Sequence, residues 1–220
     1  MPRNQPRLFP ELKPQTAPSL ALENRYRELG YARIAGTDEA GRGPLAGPVV
    51  AAAVILPEPI GPGNPLHKVR DSKMLSPEQR EEYYHLITTE ALDLAWGICD
   101  PEEIDRLNIL VASLEAMRRA VFALKPLPEL VLVDGNHGLP GSIPSVAVVK
   151  GDRLCLSIAA ASIVAKVVRD RIMDELHRQY PDYGFALHKG YATAEHKRAI
   201  IARGPSPAHR KTFRGVKEFL

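Results

Sequence analysis

The chain has 220 residues, 45% of them hydrophobic and 25% charged, a balance that supports one globular domain with a full-sized core and excludes a polar disordered chain. No apolar run approaches the ~20 residues of a membrane span, and Met1-Pro2-Arg3-Asn4-Gln5 leads into no secretory h-region, so a cytoplasmic protein off the membrane is expected. The net charge of +3 divides unevenly, with 13 Lys/Arg against 7 Asp/Glu in residues 151–220 and 16 against 19 in residues 1–150.

In chain order, the prolines at 2, 6, 10, 14 and 18 mark residues 1–18 as a flexible head. Residues 19–220 read as a single domain. Ser19 to Leu29 reads as a short helix closed by Gly30. Strands are expected near 33–37 and 48–56, and the Pro/Gly-rich stretch from Pro57 to Pro65 is a loop. Ser76-Pro77-Glu78-Gln79 starts a helix to about Leu92, with Ser76 as cap and Gln79 bonding back. A strand near 94–99 follows. Asp100-Pro101-Glu102-Glu103 opens a second helical stretch, broken near Asn108 and ending near Leu124. Glu129 to Val133 and Val146 to Val149 are short strands. Residues 157–178 form the longest helix, with Ala159, Ala160, Ala161 and Ser162 small enough for close approach to a sheet. Thr193 caps a final helix ending at Gly204. The order predicts an α/β fold, a mixed sheet flanked by helices with a helical C-terminal part. Cys99 and Cys155 each lie in an apolar run and read as small core hydrophobes.

Three apolar runs end in acid. Ile34-Ala35-Gly36-Thr37 leads to Asp38-Glu39, Val131-Leu132-Val133 to Asp134-Gly135, and Val146 through Gly151 to Asp152. Sites in α/β sheets form at the carboxyl ends of neighbouring strands, so acids distant in sequence can meet there. Four carboxylates in one pocket repel unless cations stand between them, and two divalent ions ~4 Å apart are the usual arrangement for phosphodiester hydrolysis. A lone Asp after a strand is more often a turn residue; three such ends, each with glycine close by, favour a shared site. Successive strand residues face opposite ways, so Asp38 and Glu39 are expected to share a site through a bend at Gly41-Arg42-Gly43. Arginine between glycines suits close approach to phosphate. The basic C-terminal third fits a polyanion-gripping protein, and fits a solvated helical surface equally well.

Asp38-Glu39-Ala40-Gly41-Arg42-Gly43, Asp71-Ser72-Lys73, Val133-Asp134-Gly135, Lys150-Gly151-Asp152, Ala159 to Lys166 and His188-Lys189-Gly190-Tyr191 together resemble the signature of the ribonuclease HII family, collinear from about Ala32 to His209. The resemblance implies a ribonuclease H-like fold. It implies metal-dependent endonuclease action, with Mn²⁺ or Mg²⁺, on RNA in an RNA–DNA hybrid and at a single ribonucleotide embedded in duplex DNA. Cleavage on its 5′ side would leave 3′-hydroxyl and 5′-phosphate ends. By motif match Asp38, Glu39, Asp134 and Asp152 become the metal-site carboxylates. Gly41, Arg42 and Gly43 resemble a loop reading the ribose 2′-hydroxyl and nearby phosphates, and Tyr191 the tyrosine that stacks on the deoxyribose past the junction. Lys73 resembles a lysine near the scissile phosphate, against an exposed lysine that stabilises a loop, and His188 and Lys189 read as phosphate or positioning contacts, with a solvated loop as the alternative.

Other residues read more plainly. Ser162 belongs to helix packing, Asp170 to helix-surface pairing with Arg169 or Arg171, and His137 to a turn. Trp96 is assigned to the core. Gln5-Pro6-Arg7-Leu8-Phe9 resembles short peptides that dock on bacterial DNA sliding clamps. A monomer is the default expectation. Ribonuclease HIII and a non-catalytic hybrid-binding protein are the competing readings; the first ordinarily carries an extra N-terminal domain, and the second needs none of the four acids.

Overall fold

The computed structural model describes residues 17–61, 63–69, 72 and 75–220. Five strands, β1 (Ile34–Ala40), β2 (Val49–Ile55), β3 (Asp93–Cys99), β4 (Leu130–Asp134) and β5 (Ser145–Val148), form one sheet in the order β3-β2-β1-β4-β5. β1 runs antiparallel to β2 and parallel to β4, and β5 is parallel to β4. The expected mixed sheet is therefore present, and its three parallel strands end on the same side. Around it lie α1 (Ala21–Glu28), α2 (Pro77–Glu90), α3 (Pro101–Leu107), α4 (Ile109–Ala123), α5 (Gly151–Leu154), α6 (Leu156–Gln179), α7 (Phe185–His188) and α8 (Ala194–Arg203). None of the described helices is long and apolar enough to cross a membrane.

Local chemistry sets the helix ends. Ser76 caps α2 by accepting the Gln79 N–H, while the Gln79 side chain accepts the Ser76 N–H. Asp100 and Glu103 do the same for α3. The break at Asn108 is a residue at φ +68 whose side chain accepts the Leu110 and Val111 N–H groups, so one asparagine ends α3 and starts α4.

The β2 sequence VVAAAVI is buried on both faces, as a central strand requires. Val50, Ala52 and Val54 meet α6 and Ile87 of α2, whereas Val49, Ala51, Ala53 and Ile55 meet α4. Close approach on each side is made at a glycine. A Cβ on Gly36 would stand 2.3 Å from the Ser157 carbonyl carbon of α6, and one on Gly97 2.2 Å from the Ala116 oxygen of α4.

Several boundaries depart from expectation. β1 continues through Asp38 and Glu39 to Ala40, because both acids keep their β2 partners, Ala52 and Ala51. Asp152 lies in the turn of α5 rather than in an open loop. The short helix α7 had no sequence signal. Trp96 is not a core residue: it is 46% exposed on the edge strand β3, in a shallow groove with Tyr84, Arg171 and Ile172, because α6 crosses β1 and β2 and leaves the outer part of β3 uncovered. Both cysteines are free and buried as expected, and burial raises the Cys99 thiol to about 11.

Candidate active site

The faces of the sheet place the acids. Gly36 opposes α6, and the alternation of a strand puts Asp38 on that same face. There Ser162 of α6 stands beside Asp38, where its hydroxyl pulls the Asp38 carboxyl downward, and it shares a 2.9 Å hydrogen bond with the Ser72 hydroxyl. Ser162 thus does more than pack: it bonds the loop holding Ser72 and acts on the first acid. On β4, Leu132 joins Ile34 and Ile158 in one cluster, so Asp134 also faces α6. The β1–β4 register ends at Thr37 opposite Val133, which makes Asp38 and Asp134 the next residues on adjacent parallel strands. Asp134 Oδ1 accepts the Gly151 N–H at 2.7 Å, and Asp152 follows, buried, at the start of α5.

Glu39 keeps its place in the β1–β2 ladder opposite Ala51, so the chain turns after the acid pair rather than at it. Its carboxylate accepts from Arg42 Nη1 at 3.2 Å. The turn comes two residues later at Gly41, φ +99, where a Cβ would lie 2.1 Å from Arg169 Nε. Since β4 stops at Asp134, the far end of β1 is open on that side, and Glu39 still feels the Asp134 charge across it.

Burial raises the Asp38 carboxyl well above the usual carboxylate range, and repulsion from Glu39 and Asp134 adds to it. Glu39 is raised by burial and by Asp134, against the opposing pull of Arg42. Mutually repelling, partly desolvated carboxylates are what a divalent cation relieves, and an all-oxygen donor set suits Mg²⁺ or Mn²⁺. The acids fit such a group in chemistry, although among the described residues no three acidic, histidine or cysteine side chains close on a single point.

The other predicted residues divide into two loops. Arg42 is exposed, and the ring of Tyr191, 47% exposed, would lie 3.8 Å from a Cβ on Gly43. The two proposed readers are therefore neighbours. His188 spends both ring nitrogens on its own loop, with Tyr183 O at 2.8 Å and the Gly190 N–H at 3.2 Å, and thereby shapes the turn into Tyr191. Lys189 pairs with Asp174. Lys73 and Asp71 lie outside the described residues, as does the Gln5–Phe9 segment. His137 sits in an exposed loop as expected. Asp170 pairs with Lys166 at 2.6 Å and not with the adjacent arginines: Arg171 engages Glu81, and Arg169 is buried.

Arg169 and Arg210 were missed from the sequence. Both are almost fully buried and donate to backbone carbonyls. Arg169 reaches Pro48, Lys189 and Ala46; Arg210 reaches Gly47, Arg42 and Gly41. Arg169 carried a usable signal, because it shares an i, i+4 stripe with the buried Ala165 and Met173. Arg210 lies in no periodic element and carried none.

The fold is that of the type 2 ribonucleases H. It is similar to the crystal structure of ribonuclease H2 from Pyrococcus horikoshii OT3, with TM-score 0.71 and 28% identity over 85% of this chain and 96% of that one. It is also similar to the ribonuclease HII in a PCNA complex from Archaeoglobus fulgidus, with TM-score 0.67 and 28% identity over 83% and 95%. The family model for ribonuclease HII matches residues 35–216, and the ribonuclease HII of Geobacter sp. strain M21 is 56% identical over 97% of this chain and 91% of its own length. The chain belongs to the ribonuclease HII family and is an endoribonuclease acting on RNA–DNA hybrids.

Proposed function

We propose that Asp38, Glu39, Asp134 and Asp152 are the catalytic carboxylates, and that the enzyme cuts on the 5′ side of a ribonucleotide, including a single one embedded in duplex DNA. The observation that carries this reading is the adjacency of Asp38 and Asp134 on one face of two parallel strands, with Asp152 tied in through the Gly151–Asp134 bond. Divalent ions, Mg²⁺ or Mn²⁺, held by these acids would supply activation of the attacking water and stabilisation of the leaving 3′-oxygen. The Ser162 hydroxyl beside Asp38 favours its ionised form, and the Gly151 N–H steadies Asp134. Arg42 contributes positive charge beside a phosphate.

Recognition rests on sugars rather than base edges. The 2′-hydroxyl distinguishes RNA from DNA at a given position, and a Cβ on Gly43 would meet only the Tyr191 ring, at 3.8 Å, so the backbone there is open to a sugar. Tyr191 stacks on the following deoxyribose, where a 2′-hydroxyl would obstruct the ring. Lys73 and Lys189 contact phosphate, and His188 positions the Tyr191 turn. The test is cleavage of a duplex with one ribonucleotide beside an all-RNA/DNA hybrid. Tyr191→Ala losing the first activity far more than the second supports the reading; equal losses refute it.

The same reading gives the Gln5–Phe9 segment a docking role on a sliding clamp, supported by its motif. Deleting residues 1–10 and finding unchanged clamp binding would sink it.

A further inference from the structure

His209 and Arg210 are consecutive, buried, and joined to different halves of the proposed reader. Arg210 directs its fork at the Gly41 and Arg42 carbonyls. In a trans peptide the N–H points opposite to the C=O. Drawing these two carbonyls inward therefore turns the Arg42 and Gly43 N–H groups the other way, out of the protein. Two successive outward N–H groups form a concave donor pair suited to an oxygen ligand.

His209 connects to the other half. Tyr191 O can only accept, so His196 Nδ1, 2.8 Å away, carries a proton. The neutral His196 then accepts at Nε2 from His209 Nε2, 3.0 Å away. His209 Nδ1 in turn accepts from the Ser206 N–H at 3.0 Å and from its hydroxyl at 2.8 Å. Each donor meets an acceptor from Ser206 to Tyr191. Both imidazoles are buried, and both are lowered to about 4, so the neutral forms this chain needs are the ones held. The two loops are also bonded directly, Leu45 N–H to Gly190 O at 2.8 Å and Arg210 N–H to Leu45 O at 2.9 Å.

We infer that His209-Arg210 is a positioning pair that fixes the ribose-reading peptides at Gly41–Gly43 against Tyr191, and so sets selectivity for a ribo-to-deoxy junction over a continuous hybrid. The inference rests on the reader roles proposed above. It assigns these residues no contact with substrate.

The test compares kcat/KM on a single-ribonucleotide duplex with kcat/KM on an all-RNA/DNA hybrid, for the full chain with Mg²⁺ or Mn²⁺. His209→Leu is expected to lower the ratio about tenfold, the scale of one lost buried hydrogen-bond link. His209→Gln keeps an N–H donor near the Nε2 position and is expected to recover most of the ratio. Ser206→Ala removes a single donor to His209, is expected to shift the ratio about threefold in the same direction, and decides the matter if His209→Leu does not fold. An unchanged ratio in the folded variants, or His209→Gln no better than His209→Leu, overturns the inference. Tyr191→Ala separates the two levels: if it alters the ratio and the His209 variants do not, the positioning role fails alone, and if it does not alter the ratio, the reader assignment fails first.

Discussion

Asp134 Oδ1 accepts the backbone N–H of Gly151 at 2.7 Å, so the end of β4 is bonded to the residue immediately before Asp152. One short contact therefore fixes two of the four acids relative to each other. A Cβ on Gly151 would lie 2.5 Å from Ile158 Cδ1 and 3.3 Å from Asp134 Oδ1. If Asp134 and Asp152 hold metal as proposed, Gly151→Ala lowers hybrid cleavage roughly 10- to 100-fold, the scale for lost support around a ligand. Wild-type kcat in a folded Gly151→Ala protein would show that this contact has no part in the chemistry.

Gly36 gives a prediction on stability. Its missing side chain lets α6 approach β1, with the Ser157 backbone where a Cβ would go. Gly36→Ala is expected to cost about 1–3 kcal/mol in urea unfolding, the range for overpacking a core. Because the same crossing brings Ser162 to Asp38, activity should fall with it. A change in the unfolding midpoint too small to measure would contradict the strand–helix contact.

The buried guanidinium of Arg169 holds three backbone carbonyls together, those of Ala46, Pro48 and Lys189. Arg169→Met leaves them without a donor and is expected to destabilise by roughly 3–5 kcal/mol, as removal of a buried charged partner does. Arg169→Lys should restore a minor part, since a single ammonium cannot reproduce the fork. Equal stability of the lysine variant and the wild type would count against the fork geometry.

The histidine pair predicts a pH dependence. Burial, reinforced by the neighbouring histidines, holds His196 and His209 at about 4, below the 6.5 of an unfolded histidine. Between those values the unfolded chain binds more protons, so this contribution is fully present above pH 6.5 and is lost as pH falls towards 4. The stability difference between wild type and His209→Gln should therefore narrow over that interval. Parallel curves from pH 7 to 4 would mean that the imidazoles are not held neutral.

The sequence announced what is local or periodic. The caps at Ser76 and Asp100, the strand at 49–55 and the acids closing three apolar runs follow from turn chemistry and from the periods of strand and helix. Long-range geometry was less visible. β1 extends to Ala40 because β2 continues beside it, and no local signal near Thr37 reports that. Asp170 chose Lys166, one turn away, because its neighbour Arg169 had been drawn into the interior. Trp96 is exposed because its strand lies at the sheet edge, which sequence order alone does not reveal. Arg210 and His209 look like solvated residues of a basic tail, yet the partners of Arg210 stand more than 160 residues upstream at Gly41, Arg42 and Gly47, and those of His209 are His196 and Ser206.

The most direct measurement is cleavage of duplex DNA carrying one ribonucleotide by wild type and by Asp134→Asn, each with Mg²⁺, Mn²⁺ or EDTA. A single cut on the 5′ side of the ribonucleotide is expected with either metal, none with EDTA, and a loss of at least about 100-fold in Asp134→Asn. Cutting that survives EDTA, or an Asp134→Asn enzyme as active as wild type, would contradict the proposed role of the four acids.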